Sequence, residues 1–360
     1  MSAAPSRRGA GEADTLAPAA DALVGVDVGG SKVAVLVVDG AGGVLARTTQ
    51  PTPVGAPDEA AERIASAVRT ALADAAVEPD RVAAVGVGVP GRVDPAEGVV
   101  SLAVNLGWQR LPLRARLEAL LGLPCAIEND VRAAAGGILA RRLLGSVDDF
   151  VYLSVGTGIS AGVVLAGRVH RGTRGLAGEI GHIVVDVDGP HCPCGLRGCL
   201  ETISSGPAIA RAARSAGFGA GDGEPLPRDV YAAAIAGDPI ARAIVHRSGR
   251  ALARAIHALV MTYDVERVVL GGGVSGAGPA FLDPILAELD EMRAVSDLAA
   301  EMLPADLVTV TPDGADAGAR GGVAIARALS DRLSAATDEP SGRPVRTAPS
   351  EEVVARAVGS

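Results

Sequence analysis

Residues 23–38 read LVGVDVGGSKVAVLVV, and residues 150–166 read FVYLSVGTGISAGVVLA. Each stretch is an apolar run, a short turn of Gly, Ser, Thr or Lys, and a second apolar run. Apolar runs occupy 23–28 and 33–38 in the first stretch and 150–155 and 161–166 in the second, so each predicts a β-hairpin. The same device used twice predicts two related α/β halves facing each other across a cleft.

Outward from these hairpins, strands alternate with Ala-rich helical stretches, which is the α/β signature. The pattern predicts a helix over 58–76, a strand over 82–89 and a helix over 113–121. A short strand over 125–128 follows, then a helix from Asp130 to about Leu144. Beyond the second hairpin it predicts a strand over 267–270, a Gly-rich turn over 271–278, a helix from Pro279 and a last helix near 317–329. Residues 1–22 and 332–360 lack periodicity and are expected to be disordered tails.

The chain has 360 residues, 48 % hydrophobic and 21 % charged, a globular composition. Aromatics make up only 2 %, so the core must be built from Val, Leu, Ile and Ala. A net charge of −9 argues against sequence-independent nucleic-acid binding, which relies on Lys and Arg neutralising phosphates. Backbone amides can still hold a phosphate without net basic charge. No apolar run is long enough for a membrane span, and the two arginines near the N-terminus precede no apolar run of a signal peptide. A cytoplasmic location is expected. Three of the four cysteines fall between 192 and 199, which in a reducing compartment favours a metal over disulfides.

Two segments, GVGVPG (86–91) and GGGVSG (271–276), match the dinucleotide template G-x-G-x-x-G after a strand. The first does not open a helix, because Pro90 and 92–95 (RVDP) follow. The second lies late in the chain without an acid-ended strand behind it.

DVGGSK (27–32) carries more chemistry. Gly29 and Gly30 permit close backbone approach, Ser31 adds a hydroxyl, and Asp27 projects a carboxylate from a strand end. VGTG (155–158) supplies a matching turn, so two facing cradles for a polyphosphate and its magnesium are expected. At END (128–130) a strand gives way to a helix. There Asp130 can cap the helix, or face the cleft and accept a proton from a substrate hydroxyl; the local sequence leaves both open. His182, Cys192, Cys194 and Cys199 offer three thiolates and an imidazole, a closed tetrahedral zinc set that is structural rather than catalytic. Glu179, next to His182, and Glu201, beyond the last cysteine, suit vicinal sugar hydroxyls, since carboxylates accept from O–H groups. Cys125 reads as core.

Taken together, DVGGSK (27–32), GVPGRVD (88–94), NLGW (105–108), END (128–130), GTGISAG (156–162), AGEIGH (177–182), CPCGLRGCLE (192–201) and GGGVS (271–275) resemble the ROK family of sugar kinases and sugar-responsive repressors. The resemblance runs over about residues 23–330. It implies the actin-like, hexokinase-like ATPase fold, with two α/β domains closing over ATP and sugar. The smaller would be 23–128 joined by the helix at 317–330, the larger 129–316 with the zinc loop. It further implies Asp130 as catalytic base, and Gly91, Asn105, Asn129, Glu179, His182 and Glu201 around the sugar. Asp27, Gly29, Gly30, Ser31, Lys32, Thr157 and Gly158 would surround the phosphates of Mg·ATP, with Gly272 and Gly273 on the adenosine side.

The implied activity is transfer of the γ-phosphoryl group to the 6-hydroxyl of a hexose, glucose first. N-acetylmannosamine, N-acetylglucosamine or fructose are alternatives, and a non-catalytic sugar-responsive regulator is the reading from another class. Repressors of this family carry a helix-turn-helix ahead of the first phosphate loop, and residues 1–22 show no amphipathic helix pair. Family habit implies a homodimer or tetramer. Three positions depart from the usual pattern. Ser31 stands where Thr is commoner, Ser160 replaces a common glycine, and Arg132 stands where Asn is frequent.

Overall fold

The computed structural model describes residues 22–52, 57–219, 225–311 and 316–338. The first half contains β1 (Ala22–Val28), β2 (Lys32–Val38), β3 (Val44–Pro51), α1 (Pro57–Asp74) and β4 (Val82–Val89). A small antiparallel meander follows, made of β5 (Arg92–Asp94), β6 (Val99–Ala103) and β7 (Trp108–Leu111), then α2 (Leu113–Leu121) and β8 (Cys125–Asn129). Next, α3 (Asp130–Ala140) leads to β9 (Phe150–Val155), β10 (Ile159–Leu165) and β11 (Arg168–His170). Helices α4 (Glu201–Ser204), α5 (Gly206–Ser215), α6 (Pro227–Ile235) and α7 (Pro239–Tyr263) precede β12 (Arg267–Gly271). The remaining elements are α8 (Pro279–Val295), α9 (Asp297–Met302), β13 (Val308–Val310) and α10 (Ala317–Asp338).

The predicted repetition is real. One sheet runs β3-β2-β1-β4-β8 and the other β11-β10-β9-β12-β13. In both, an antiparallel hairpin sits beside two parallel strands, with Asp27 opposite Ala34 in the first hairpin and Ile159 opposite Val155 in the second. Both faces of the first sheet are covered, which is why β1 and β2 read as nearly continuous apolar runs. Val24, Val26, Val35 and Val37 face Ile64 and Val68 of α1, whereas Leu23, Leu36 and Ala84 face Ala319 and Ala326 of α10.

The approach of α10 explains two glycines. A methyl on Gly25 would run into the Ala319 carbonyl, and one on Gly86 into the Gly322 carbonyl. The first dinucleotide-like match is thus partly a helix-packing requirement. Helix α10 also crosses α3, where a Cβ on Gly137 would lie 2.9 Å from Gly321 Cα. Both helices therefore join the two halves and reach the cleft between them.

Two boundaries differ from the sequence reading. Helix α3 stops at Ala140 rather than near Leu144, because Arg141 closes it onto the Gly137 and Leu139 carbonyls and Arg142 turns to φ +50°. Helix α10 continues to Asp338, so 332–338, expected in a tail, are helical. The rest of that expected tail, 339–360, and residues 1–21 lie outside the described residues. Among the described residues, no helix is long and apolar enough to cross a membrane.

Candidate active site

A cleft of about 360 Å³ is lined by Asp27 and Lys32 from the first hairpin, Asp130 from α3, Tyr152 from β9 and Gly272 after β12. The first turn of α10 closes one side: a side chain at Gly318 would run into the Asp27 carboxylate. Burial holds the Asp27 carboxyl up at about 7, helped by the negative charge of Asp130 and opposed by Lys32. Burial likewise lifts Asp130 to about 6, against the Val131 amide, with Glu179 adding a smaller upward push. Two carboxylates thus share one poorly hydrated cleft, and each titrates within reach of neutral pH.

The two Gly-rich turns face each other, since a Cβ on Gly30 would stand 3.7 Å from Thr157 Oγ1. The first turn is pinned by Gly29 N–H donating to the Lys32 carbonyl at 2.8 Å and Thr52 Oγ1 to the Gly29 carbonyl at 2.7 Å. Gly30, Ser31 and Lys32 are left exposed at its tip, as is Thr157 opposite. The second turn is pinned from the other side: Glu201 Oε2 accepts from Ile159 N–H at 2.8 Å and would lie 2.8 Å from a Cβ on Gly158.

At the junction of β8 and α3, Asn129 is the N-cap, not Asp130. Its Oδ1 accepts from the Val131 and Arg132 amides, both at 3.1 Å. Its Nδ2 donates to the Gly91 carbonyl at 3.2 Å and to Asp130 Oδ1 at 3.0 Å. Gly91 therefore meets Asn129 through its carbonyl, and it sits at φ +90° with its Cα against Leu102 and Ala103. Behind this junction the buried Glu128 accepts from Arg132 Nε at 2.9 Å and Arg171 Nε at 2.7 Å. Arg132 Nη1 also reaches the Gly175 carbonyl at 2.9 Å, tying α3 to the loop that carries Glu179.

The expected metal donors converge. The ligand atoms of His182, Cys192, Cys194 and Cys199 all lie within 4.8 Å of one another. Cys192 Sγ is 3.6 Å from His182 Nδ1, and Cys194 Sγ is 3.6 Å from Cys199 Sγ. A tetrahedron with ordinary Zn–S and Zn–N bonds has edges of roughly 3.5–3.8 Å, so the donor set fits zinc. The sulfurs are too far apart for disulfides, and all four cysteines are free. With Nδ1 toward the thiol, Nε2 of His182 is left for a ligand outside the cluster.

Residues 23–329 match the ROK family model. The chain belongs to the ROK family. It is 34 % identical over 275 residues to the glucokinase of Streptomyces coelicolor, spanning 73 % of this chain and 85 % of that one. It is 37 % identical over 278 residues to the N-acetylmannosamine kinase of Citrobacter koseri, spanning 76 % and 90 %. Its fold superimposes on a ROK family glucokinase from Streptomyces griseus in complex with glucose and AMPPNP, with a TM-score of 0.71 at 33 % identity, covering 85 % of this chain and 99 % of that chain. The repeated sheets are those of the actin-like ATPase fold.

Within the ROK fold, the site brings together Asp27, Lys32, Asp130, Gly272 and Gly273 in the cleft, with both phosphate-type turns at its mouth. Asn105 is exposed, in the turn between β6 and β7. Ser160 turns away from the cradle, its Oγ donating to the Gly178 carbonyl at 3.3 Å, so this departure from the ROK pattern braces the Glu179 loop. Sequence reading missed Tyr152, Ser154, Ser275 and Gly318, which also line the cleft. Tyr152 is hydrogen-bonded to Ser154 and the Gly272 backbone, and burial pushes its hydroxyl up to about 12. Its signal was available: a tyrosine stands out on an apolar strand of a chain with three.

Proposed function

We propose that this ROK-family sugar kinase transfers the γ-phosphoryl group of Mg·ATP to the 6-hydroxyl of a hexose, glucose first. The observation that carries the reading is the partly buried Asp130 carboxylate, which lines a cleft whose mouth is formed by two facing Gly-rich turns. A sugar hydroxyl is a poor nucleophile, so the enzyme must align it with the phosphorus and take its proton as the new bond forms. Asp130, with a pKa of about 6, is ionised at neutral pH and still basic enough to accept that proton.

Gly29, Gly30, Ser31, Lys32, Thr157 and Gly158 bind the phosphates in this reading, and Gly272 and Gly273 the adenosine side. Asp27 would hold magnesium, which supplies charge neutralisation at the phosphate oxygens. Glu179, His182 and Glu201 bind sugar hydroxyls, while Asn129 orients Asp130 through the 3.0 Å hydrogen bond and has less left to offer a ligand. Zinc on His182, Cys192, Cys194 and Cys199 has four protein donors and no open position, so it orders the sugar side rather than activating water. The halves 23–128 with 317–330, and 129–316, act as closing domains that exclude water. A cytoplasmic location and a homo-oligomer accompany this reading.

A second substrate has support, because identity to the N-acetylmannosamine kinase, 37 %, is no lower than the 34 % to the glucokinase. The test is ADP release from Mg·ATP with a panel of hexoses and acetamido-hexoses, the product identified by mass and hydrolysis. Turnover on glucose giving the 6-phosphate is the expected result. Turnover confined to N-acetylmannosamine would replace the substrate. Tight sugar binding with no turnover on any sugar would replace the kinase by a regulator.

A further inference from the structure

Away from the cleft, α10 lines a second cavity together with the end of α3 and the turn between β2 and β3. It measures about 630 Å³, a size that takes a small molecule rather than a bare ion, and it shares no lining residue with the cleft. Three guanidinium groups border it: Arg141 at the end of α3, and Arg320 and Arg327 two turns apart on α10. Asp331 is the acid in its lining. Asp316, also close to Arg141, is engaged in an ion pair with Arg47. Positive charge dominates, and it outweighs the partial negative charge at the carbonyl end of α3.

One donor of this cluster is left over. Although Arg141 is exposed overall, partial desolvation and then the nearby charge of Arg320 hold its guanidinium below its ordinary value. The Nε of Arg320 is buried with no hydrogen-bond partner. Arg327, by contrast, is anchored at the rim by Nη2 donating to the Gly40 carbonyl at 2.9 Å. Like charges on two different helices around one open groove are stabilised by an anion between them. Planar guanidinium forks match phosphoryl oxygens in particular.

We propose that this groove is a second anion site, separate from the cleft, which takes a small phosphorylated molecule through Arg141, Arg320 and Arg327. A phosphoryl group seated there bridges α3 to α10 close to where they cross. Turning the Arg320 guanidinium onto it satisfies the orphaned donor.

The test is calorimetric titration of the full chain, without magnesium, using inorganic pyrophosphate in one arm and glucose 6-phosphate in the other. Wild type is compared with Arg141→Gln and Arg327→Gln, both at exposed positions where folding is undisturbed, and with Lys32→Gln in the cleft. Each groove substitution is expected to weaken binding about tenfold, while Lys32→Gln leaves that binding in place. Saturation should also raise Tm in wild type more than in the groove variants. Which arm shows this loss tells whether the site takes an inorganic or an organic phosphate. Absence of binding in both arms, equal affinity in the groove variants, or a loss seen only with Lys32→Gln would overturn the proposal.

Discussion

Asp27 and Asp130 share one cleft but are expected to respond differently to substitution. Asp130→Asn removes the proton acceptor while keeping size and the Val131 contact, so kcat should drop on the order of 10²–10⁴-fold with the fold intact. Because the base acts ionised, kcat/KM of wild type should fall as pH drops through about 6. A flat profile between about pH 5 and pH 8 would contradict the assignment. For Asp27 the linkage runs toward stability. Its folded-state value, about 7, lies above the 3.8 of an unperturbed Asp, so the native state holds its proton more tightly. The stability this gives is full below the unfolded value and is lost as pH rises through about 7. Asp27→Asn should therefore stabilise the ligand-free protein at pH 8, on the order of a few kcal/mol, and less at pH 5, while abolishing turnover. Thermal melts of both proteins at the two pH values decide it; a destabilised variant at pH 8 would refute the burial argument.

At the scale of elements, glycines and caps separate what was legible from what was not. The two hairpins were readable because a strand covered on both faces leaves a nearly continuous apolar run, as 23–28 and 150–155 do. The metal donors were readable because thiolates 192, 194 and 199 can serve one ion only at such spacing. Gly86, in contrast, looks like part of a ligand loop, and its reason lies more than two hundred residues away in the backbone of α10. Gly86→Ala should thus lower stability by about 1–3 kcal/mol, as overpacking does, measured by urea unfolding; an unchanged midpoint would show that α10 is free to shift. The cap at α3 was left open by the sequence for a related reason. Asn and Asp are both good caps, and only the tertiary contact of Asn129 Nδ2 with the Gly91 carbonyl decides between them. Glu201 was taken for a sugar ligand alone. Its bond to the Ile159 amide depends on how the zinc loop folds back on β10, which no local pattern encodes.

For the whole molecule, the same bond would couple the proposed metal to the proposed phosphate side. Cys199 and Glu201 are two residues apart, and Glu201 holds the second turn. Removing zinc with a chelator, or Cys194→Ser, should therefore lower Tm and weaken both sugar and ATP binding. Full activity in metal-free protein would rule out that coupling. Helices α3 and α10 cross at Gly137 and Gly321 and carry Asp130 and Gly318 into the cleft, so closure of the two halves would be transmitted to the reacting groups directly. All of this rests on one claim, that the partly buried carboxylate of Asp130 is the base of a sugar kinase. The most direct test measures ADP release and glucose affinity on wild type and Asp130→Asn side by side at pH 7.5. The account predicts turnover on glucose in wild type, lost about 10²–10⁴-fold in the variant, with glucose binding retained. Undiminished turnover in Asp130→Asn would contradict it.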